Sequence, residues 1–171
     1  GNIAIMFPMI TSVEEVQQVK KIAAQIREEL DYEGIAYAPH VELGIMIETP
    51  AAAIISDLLA KEVDFFSIGT NDLTQYTLAI DRQNAMLDQF YQPYHKSVLR
   101  LMKLVADNAH RNHIWCGICG DLGSDLEMTP LFLAMGIDEI SVPPSSILAV
   151  RKKVRETNVS MIQNQLFEKW L

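Results

Sequence analysis

Asp64-Phe65-Phe66-Ser67-Ile68-Gly69-Thr70-Asn71-Asp72-Leu73-Thr74-Gln75-Tyr76 passes from an apolar run, through a polar turn, into a helical pattern. The run at 63–68 is mostly continuous hydrophobe, as expected of a parallel strand covered on both faces. Gly69 permits close backbone approach, and the N–H groups of the helix that follows can receive an anion. A glycine before a helix is also the ordinary form of a strand-to-helix turn.

The same unit recurs on either side. Residues 3–9, 43–47 and 114–118 are runs of the same kind, and a weaker one lies at 139–142. Helical patterns separate them. Ser12 and Glu15 have capping-box spacing, followed by an apolar stripe of Val13, Val16, Val19, Ile22, Ala23, Ile26 and Leu30 and a closing Gly34. Thr49-Pro50 caps a helix over 51–60. Further helices are predicted around Val98–Ala109 spacing, at 126–135, from Pro143-Pro144-Ser145 through Arg155, and at 160–171.

Repeated βα units without a hairpin signal define an α/β protein of about four to five parallel strands with covering helices. An open doubly wound sheet and a (β/α)8 TIM barrel both fit this pattern. A whole barrel needs about 250 residues, so 171 supply roughly its second half. Gly1-Asn2 leads straight into a strand-like run, which reads as a fragment.

Apolar residues make up 49% and charged residues 21%, as in ordinary globular domains, and the formal net charge is −8. An acidic chain argues against nucleic acid as a partner. No apolar run approaches the roughly 20 residues that span a bilayer. The two cysteines provide no disulfide framework. A cytoplasmic protein is expected.

Polar residues gather just beyond the strands. Glu48 follows the second run, Thr70-Asn71-Asp72 the third and Cys119-Gly120-Asp121 the fourth. Loops from neighbouring strands converge there in parallel α/β folds. Glu48 and Asp72, from adjacent strands, suit Mg2+, which takes one or two protein carboxylates and leaves the remaining positions to water and substrate. Either could instead favour a helix N-terminus. Arg82 could reach back to the same mouth, or remain a surface arginine beside Asp81. Cys116 and Cys119 have C-x-x-C spacing, but residues three apart on a strand face opposite ways. Cys116 therefore reads as packing, and Cys119 as a candidate acid with a protonated thiol. His40, His95, His110 and His113 are assigned no phosphoacceptor role.

The 64–76 string resembles the phosphoenolpyruvate-utilising family. Ile5-Met6-Phe7-Pro8-Met9, Met46-Ile47-Glu48-Thr49-Pro50-Ala51-Ala52-Ala53, Tyr91-Gln92-Pro93 and Gly117-Ile118-Cys119-Gly120 are similar to its enzyme I branch, from bacterial sugar phosphotransferase systems. The likeness runs from about Ile3 to Asn158, dividing the chain into a half-barrel over 1–158 and a helical tail over 159–171. It implies a (β/α)8 barrel in which Glu48 and Asp72 hold Mg2+. Asn71 and Asp72 would bind the phosphate of phosphoenolpyruvate, Arg82 would contact the substrate, and Cys119 would be the proton donor. It implies phosphoryl transfer to a histidine on a separate N-terminal domain, then to a histidine-containing phosphocarrier protein, with release of pyruvate. A homodimer is implied as well. Asp121 departs from the expected Gly-Glu after Cys119. The family's early-strand arginines and phosphohistidine are not in this sequence, so the chain alone is expected to be inactive. The alternatives are a Mg2+-dependent pyruvate-enolate lyase or aldolase, and a non-catalytic dimerisation module.

Overall fold

The computed structural model describes residues 3–171; Gly1 and Asn2, at the head of the predicted half-barrel, lie outside the described residues. The element order is β1 (Ala4–Phe7), α1 (Val13–Glu33), β2 (Glu42–Ile47), α2 (Pro50–Ile54), α3 (Ser56–Leu59), β3 (Phe65–Gly69), α4 (Thr70–Leu78), α5 (Lys96–Arg111), β4 (Trp115–Cys119), α6 (Thr129–Met135), β5 (Glu139–Ile140), α7 (Ile147–Glu156) and α8 (Val159–Trp170). The five strands lie in the order β1-β2-β3-β4-β5, and each neighbouring pair is parallel.

Side-chain alternation divides the sheet into two chemically different faces. Ile45, Ile47, Phe66, Ile68, Cys116 and Ile118 enter the buried core beneath the helices, where they meet Leu59, Leu99, Met102 and Phe132. The opposite face carries Gly44 and Met46 on β2 with Glu48 just beyond it, Phe65, Ser67 and Gly69 on β3, and Trp115, Gly117 and Cys119 on β4. Phe65 and Trp115 stack there with ring centroids 4.3 Å apart and planes 3° from parallel. A Cβ on Gly44 would run into the Phe65 ring, so glycine makes room for this stack. The hydrophobic runs are thus less uniform than they read: one face is aliphatic, and the other mixes small, polar and aromatic groups.

Local signals set the starts of α1 and α2. Ser12 accepts from the Glu15 amide at 3.3 Å, while Glu15 accepts from the Ser12 amide at 3.0 Å, closing the capping box. Gly34 ends α1 at φ 68°, a left-handed conformation suited to glycine. Thr49 caps α2 by accepting from Ala52 N at 3.1 Å. The single helix expected over 51–60 is broken at Ile55 into α2 and α3.

The apolar stripe of α1 is largely uncovered. Only Val16 on this helix is buried; Val19, Ile22, Ala23, Ile26 and Leu30 line an apolar groove with Ile3, Ile5 and Phe7 at the β1 edge. At the other end of the chain, Leu166, Phe167, Trp170 and Leu171 pack against the core. Among the described residues, no helix is long and apolar enough to cross a membrane.

Candidate functional site

The carboxyl ends of β2, β3 and β4 open on the same edge of the sheet, and the predicted site residues meet there. Glu48 follows β2 directly and is only 4% exposed. Its Oε1 accepts from the Met9 amide at 2.7 Å, across from the end of β1. Met9 adopts φ 58°, an uncommon value for a residue with a side chain, and thereby turns its N–H toward the carboxylate. Burial raises the Glu48 pKa above the ordinary carboxylate range; the Met9 bond opposes this, and the adjoining Asp72 carboxylate adds to it.

Gly69 lets β3 come this close. A Cβ there would stand 2.9 Å from both Cβ and Oε2 of Glu48 and 2.9 Å from the Met46 sulfur. Thr70, Asn71 and Asp72 then form the first turn of α4. Asp72 faces Glu48 on one side and Arg82 on the other, with Arg82 Nη2 3.4 Å from Asp72 Oδ1. The Arg82 amide donates to Gln75 Oε1 at 3.0 Å, so the segment after α4 folds back toward the mouth. Arg82, Gln83, Asp88, Tyr91 and Asp121 line an open cleft of about 480 Å³ beside it.

β3 and β4 are laced together at their tips. Thr70 Oγ1 donates to the Cys119 carbonyl at 2.9 Å. Asn71 Nδ2 donates to Asp121 Oδ2 at 3.2 Å, and Asn71 Oδ1 accepts from the Asp121 amide at 3.1 Å. Gly120, at φ 98°, sits where a Cβ would strike Thr70 Oγ1.

Cys119 and Cys116 face opposite ways. Cys116 is buried among the helices, and that burial pushes its thiol far upward. Cys119 lies on the site face and is partly exposed. Burial raises its pKa, a bond with Ser67 works against this, and Glu48, Glu139 and Asp72 reinforce it. A thiol in that setting is protonated at neutral pH and can donate.

The histidines lie elsewhere. His95 caps α5, and His110 pairs with Asp138 at 2.9 Å beneath the opposite end of the sheet, where Asp138 also accepts from the Cys116 amide. Met9, Ser67, Gln75 and Tyr91 are contributors that sequence reading gave no site role, although each lies within one of the family-like motifs. Met9, Ser67 and Tyr91 act through contacts with distant segments, which spacing does not reveal.

The donor set at Glu48 and Asp72 is all oxygen, and both groups are negative when ionised, which suits a hard divalent cation. Among the described residues, no group of three His, Cys, Asp or Glu side chains is gathered to hold an ion, so two carboxylates would need water and ligand oxygens to complete the shell. That matches the habit of Mg2+, and the free N–H groups of α4 and the Arg82 guanidinium suit an anion bound beside it.

A partial (β/α) barrel with a carboxylate, amide and guanidinium cluster at its strand mouths is the class of protein defined here. The chain belongs to the family described as PEP-utilising enzyme, PEP-binding domain, whose profile matches residues 1–159. It is 45% identical over 166 residues to the phosphoenolpyruvate-protein phosphotransferase of Priestia megaterium, covering 97% of this chain and 29% of that protein. Its identity to the Haemophilus influenzae protein of the same name is 48% over 158 residues, covering 92% and 28%. The chain thus spans less than a third of the length of these relatives. Among solved structures, protein CitE from Mycobacterium tuberculosis in complex with magnesium and acetate matches at TM-score 0.60 and 18% identity, covering 96% of this chain and 63% of that one. A citrate lyase from Burkholderia xenovorans matches at TM-score 0.61 and 20% identity, covering 96% and 53%. At such identities these two establish the fold alone, a partial barrel rather than an open doubly wound sheet.

Proposed function

We propose that this chain is the Mg2+- and phosphoenolpyruvate-binding part of a phosphotransferase that moves the phosphoryl group to a histidine on a separate N-terminal domain. From there the group passes to a histidine-containing phosphocarrier protein, and pyruvate leaves. The observation that carries this reading is the meeting of Glu48, Asp72, Arg82 and Cys119 at one sheet edge, in a chain 45–48% identical to phosphoenolpyruvate-protein phosphotransferases. The citrate lyase likeness is confined to 18–20% identity, and the lyase reading has no comparable support.

Glu48 and Asp72 hold Mg2+, which supplies neutralisation of phosphate and enolate charge when bound. Asn71 and Asp72 orient the phosphate at the start of α4, and Arg82 pairs with substrate oxygens. Transfer breaks the bond between phosphorus and the enol oxygen and forms one between phosphorus and the histidine nitrogen. Cys119 gives its S–H proton to the methylene carbon of the enolate, and the electron pair of the enolate forms the new C–H bond of pyruvate. Such an acid has to enter the reaction as thiol, which the raised pKa favours.

The protein works in the cytoplasm as a homodimer. The chain alone binds phosphoenolpyruvate poorly, because the family's early-strand arginines are not in this sequence, and turns nothing over, because the partner histidine belongs to another domain. The test is pyruvate formation from phosphoenolpyruvate by this chain, alone and mixed with the N-terminal portion of a relative. Pyruvate only from the mixture is the expected result. Robust turnover by the chain alone, or none from a mixture of folded parts, overturns the reading.

A further inference from the structure

The last helix reaches the site mouth through a continuous set of contacts. All of α8 but its first residue lies beyond the span matched by the family profile. The helix rests on α6, where Gln163 Nε2 donates to the Ala134 carbonyl at 2.9 Å, and Lys169 pairs with Glu127 at 3.2 Å. Its end is tied to α5: Arg100 Nε donates to the Leu171 carbonyl at 2.6 Å, and the Lys103 ammonium stands 5.5 Å from the centre of the Phe167 ring. These ties set the Trp170 ring 5.9 Å from that of Tyr94, inclined by 58°. That is a tilted geometry favoured by aromatic pairs.

Tyr94 continues the chain of contacts. Its hydroxyl donates to the Asp125 carboxylate, whose other oxygen accepts from the amides of Glu127 and Met128 just beyond the β4 turn. Three residues before it, across Pro93, Tyr91 is placed differently. The Tyr91 hydroxyl lies 3.4 Å from the Asn71 carbonyl, to which it donates weakly, and its neighbours include Thr74, Arg82, Asp121 and Asp72. Tyr91 thus lies on the wall of the mouth, while Tyr94 is the point where the same segment is anchored to the tail.

We infer that α8 is a strut and that Trp170 is a positioning residue: its ring against Tyr94 fixes segment 91–94 and so keeps the Tyr91 hydroxyl at the anion mouth. Trp170 touches no ligand and acts only through Tyr94. Pro93 leaves little slack between the two tyrosines, because its ring fixes one backbone angle. The consequence for phosphoenolpyruvate rests on the function proposed above; the strut itself does not.

Amide hydrogen exchange over residues 80–95 reads the strut directly, and NMR titration of the same samples with Mg2+ and phosphoenolpyruvate reads its effect on the ligand. W170A is expected to speed exchange in that segment and to weaken the ligand about three- to tenfold, the range of an aromatic pair. W170F, which keeps an aromatic ring, should leave both close to wild type. Y94L removes the ring that Trp170 packs against and should speed exchange in the same segment, whereas Y94F keeps the ring, loses only the bond to Asp125, and should stay closer to wild type than Y94L. Y94L decides the matter if W170A does not fold. Wild-type exchange in W170A, or in Y94L where W170A is unfolded, overturns the strut. A wild-type chain that shows no response to phosphoenolpyruvate at any concentration overturns the proposed function instead, and the exchange measurements still decide the strut.

Discussion

Asn71 and Asp121 hold each other reciprocally, the Asn71 amide group donating to the Asp121 carboxylate at 3.2 Å and accepting from the Asp121 backbone at 3.1 Å. Fifty residues apart in the chain, they lock the tip of β3 to the tip of β4 and so fix the distance between the proposed phosphate turn and Cys119. D121A removes the side-chain half of this pair. It should lower stability by about 0.5–1.5 kcal/mol, the usual net value of a hydrogen bond, as read by urea unfolding. Its larger effect should be on the Asn71 amide resonances, which should broaden or shift; an unchanged Asn71 would contradict the role given to the pair.

Gly120 should tolerate no side chain. G120A combines a left-handed φ of 98° with a clash against Thr70 Oγ1. A loss of about 1–3 kcal/mol is expected from the backbone strain, and more where Thr70 gives up its bond to Cys119. Denaturant midpoints for G120A and T70V, alone and combined, check this: the two losses should be less than additive, because both act on one contact.

Thiol chemistry separates the two cysteines. Alkylation of the folded chain should label Cys119 alone, since Cys116 is buried. Because burial and nearby carboxylates raise its pKa, Cys119 should react slowly near neutrality and faster only above the ordinary thiol range of about 8.5. Mass spectrometry after timed labelling across a pH series checks both points. Fast labelling at neutral pH would mean a thiolate, and a thiolate could not act as the acid.

Much of the frame was legible because its signals are local. The Ser12–Glu15 box, the Thr49-Pro50 cap and the strand-ending positions of Glu48 and Asp72 each depend on residues a few places apart, and the structure has them where spacing put them. The break at Ile55 was not legible, since an Ala-rich helical pattern runs straight through it. Nor was the uncovered stripe of α1: periodicity says which side of a helix is apolar and nothing about what lies against it. The Met9 amide on Glu48, Thr70 on the Cys119 carbonyl and Trp170 against Tyr94 join segments about 40 to 76 residues apart, and no pairwise spacing announces them.

Tyr94 should contribute stability that is lost at alkaline pH. Its bond to Asp125 raises its pKa from 10.0 to about 12, so the folded state holds the proton more tightly than the unfolded chain does. Stability from this source is therefore complete below about pH 10 and disappears as pH rises to about 12. Urea midpoints of wild type and Y94F, measured across that window, should converge as pH rises. A gap that stays constant would show that the bond does not couple to ionisation.

Binding of a divalent cation at Glu48 and Asp72 is the claim on which the site depends. Mn2+ is a spectroscopic substitute for Mg2+, and electron paramagnetic resonance counts the free ion directly. Titrating the chain in the presence of phosphoenolpyruvate should reveal one Mn2+ site, weakened at least about tenfold by E48Q and again by D72N, each substitution removing one charged oxygen donor. A chain with no saturable site, or with a site that survives both substitutions intact, would contradict the account.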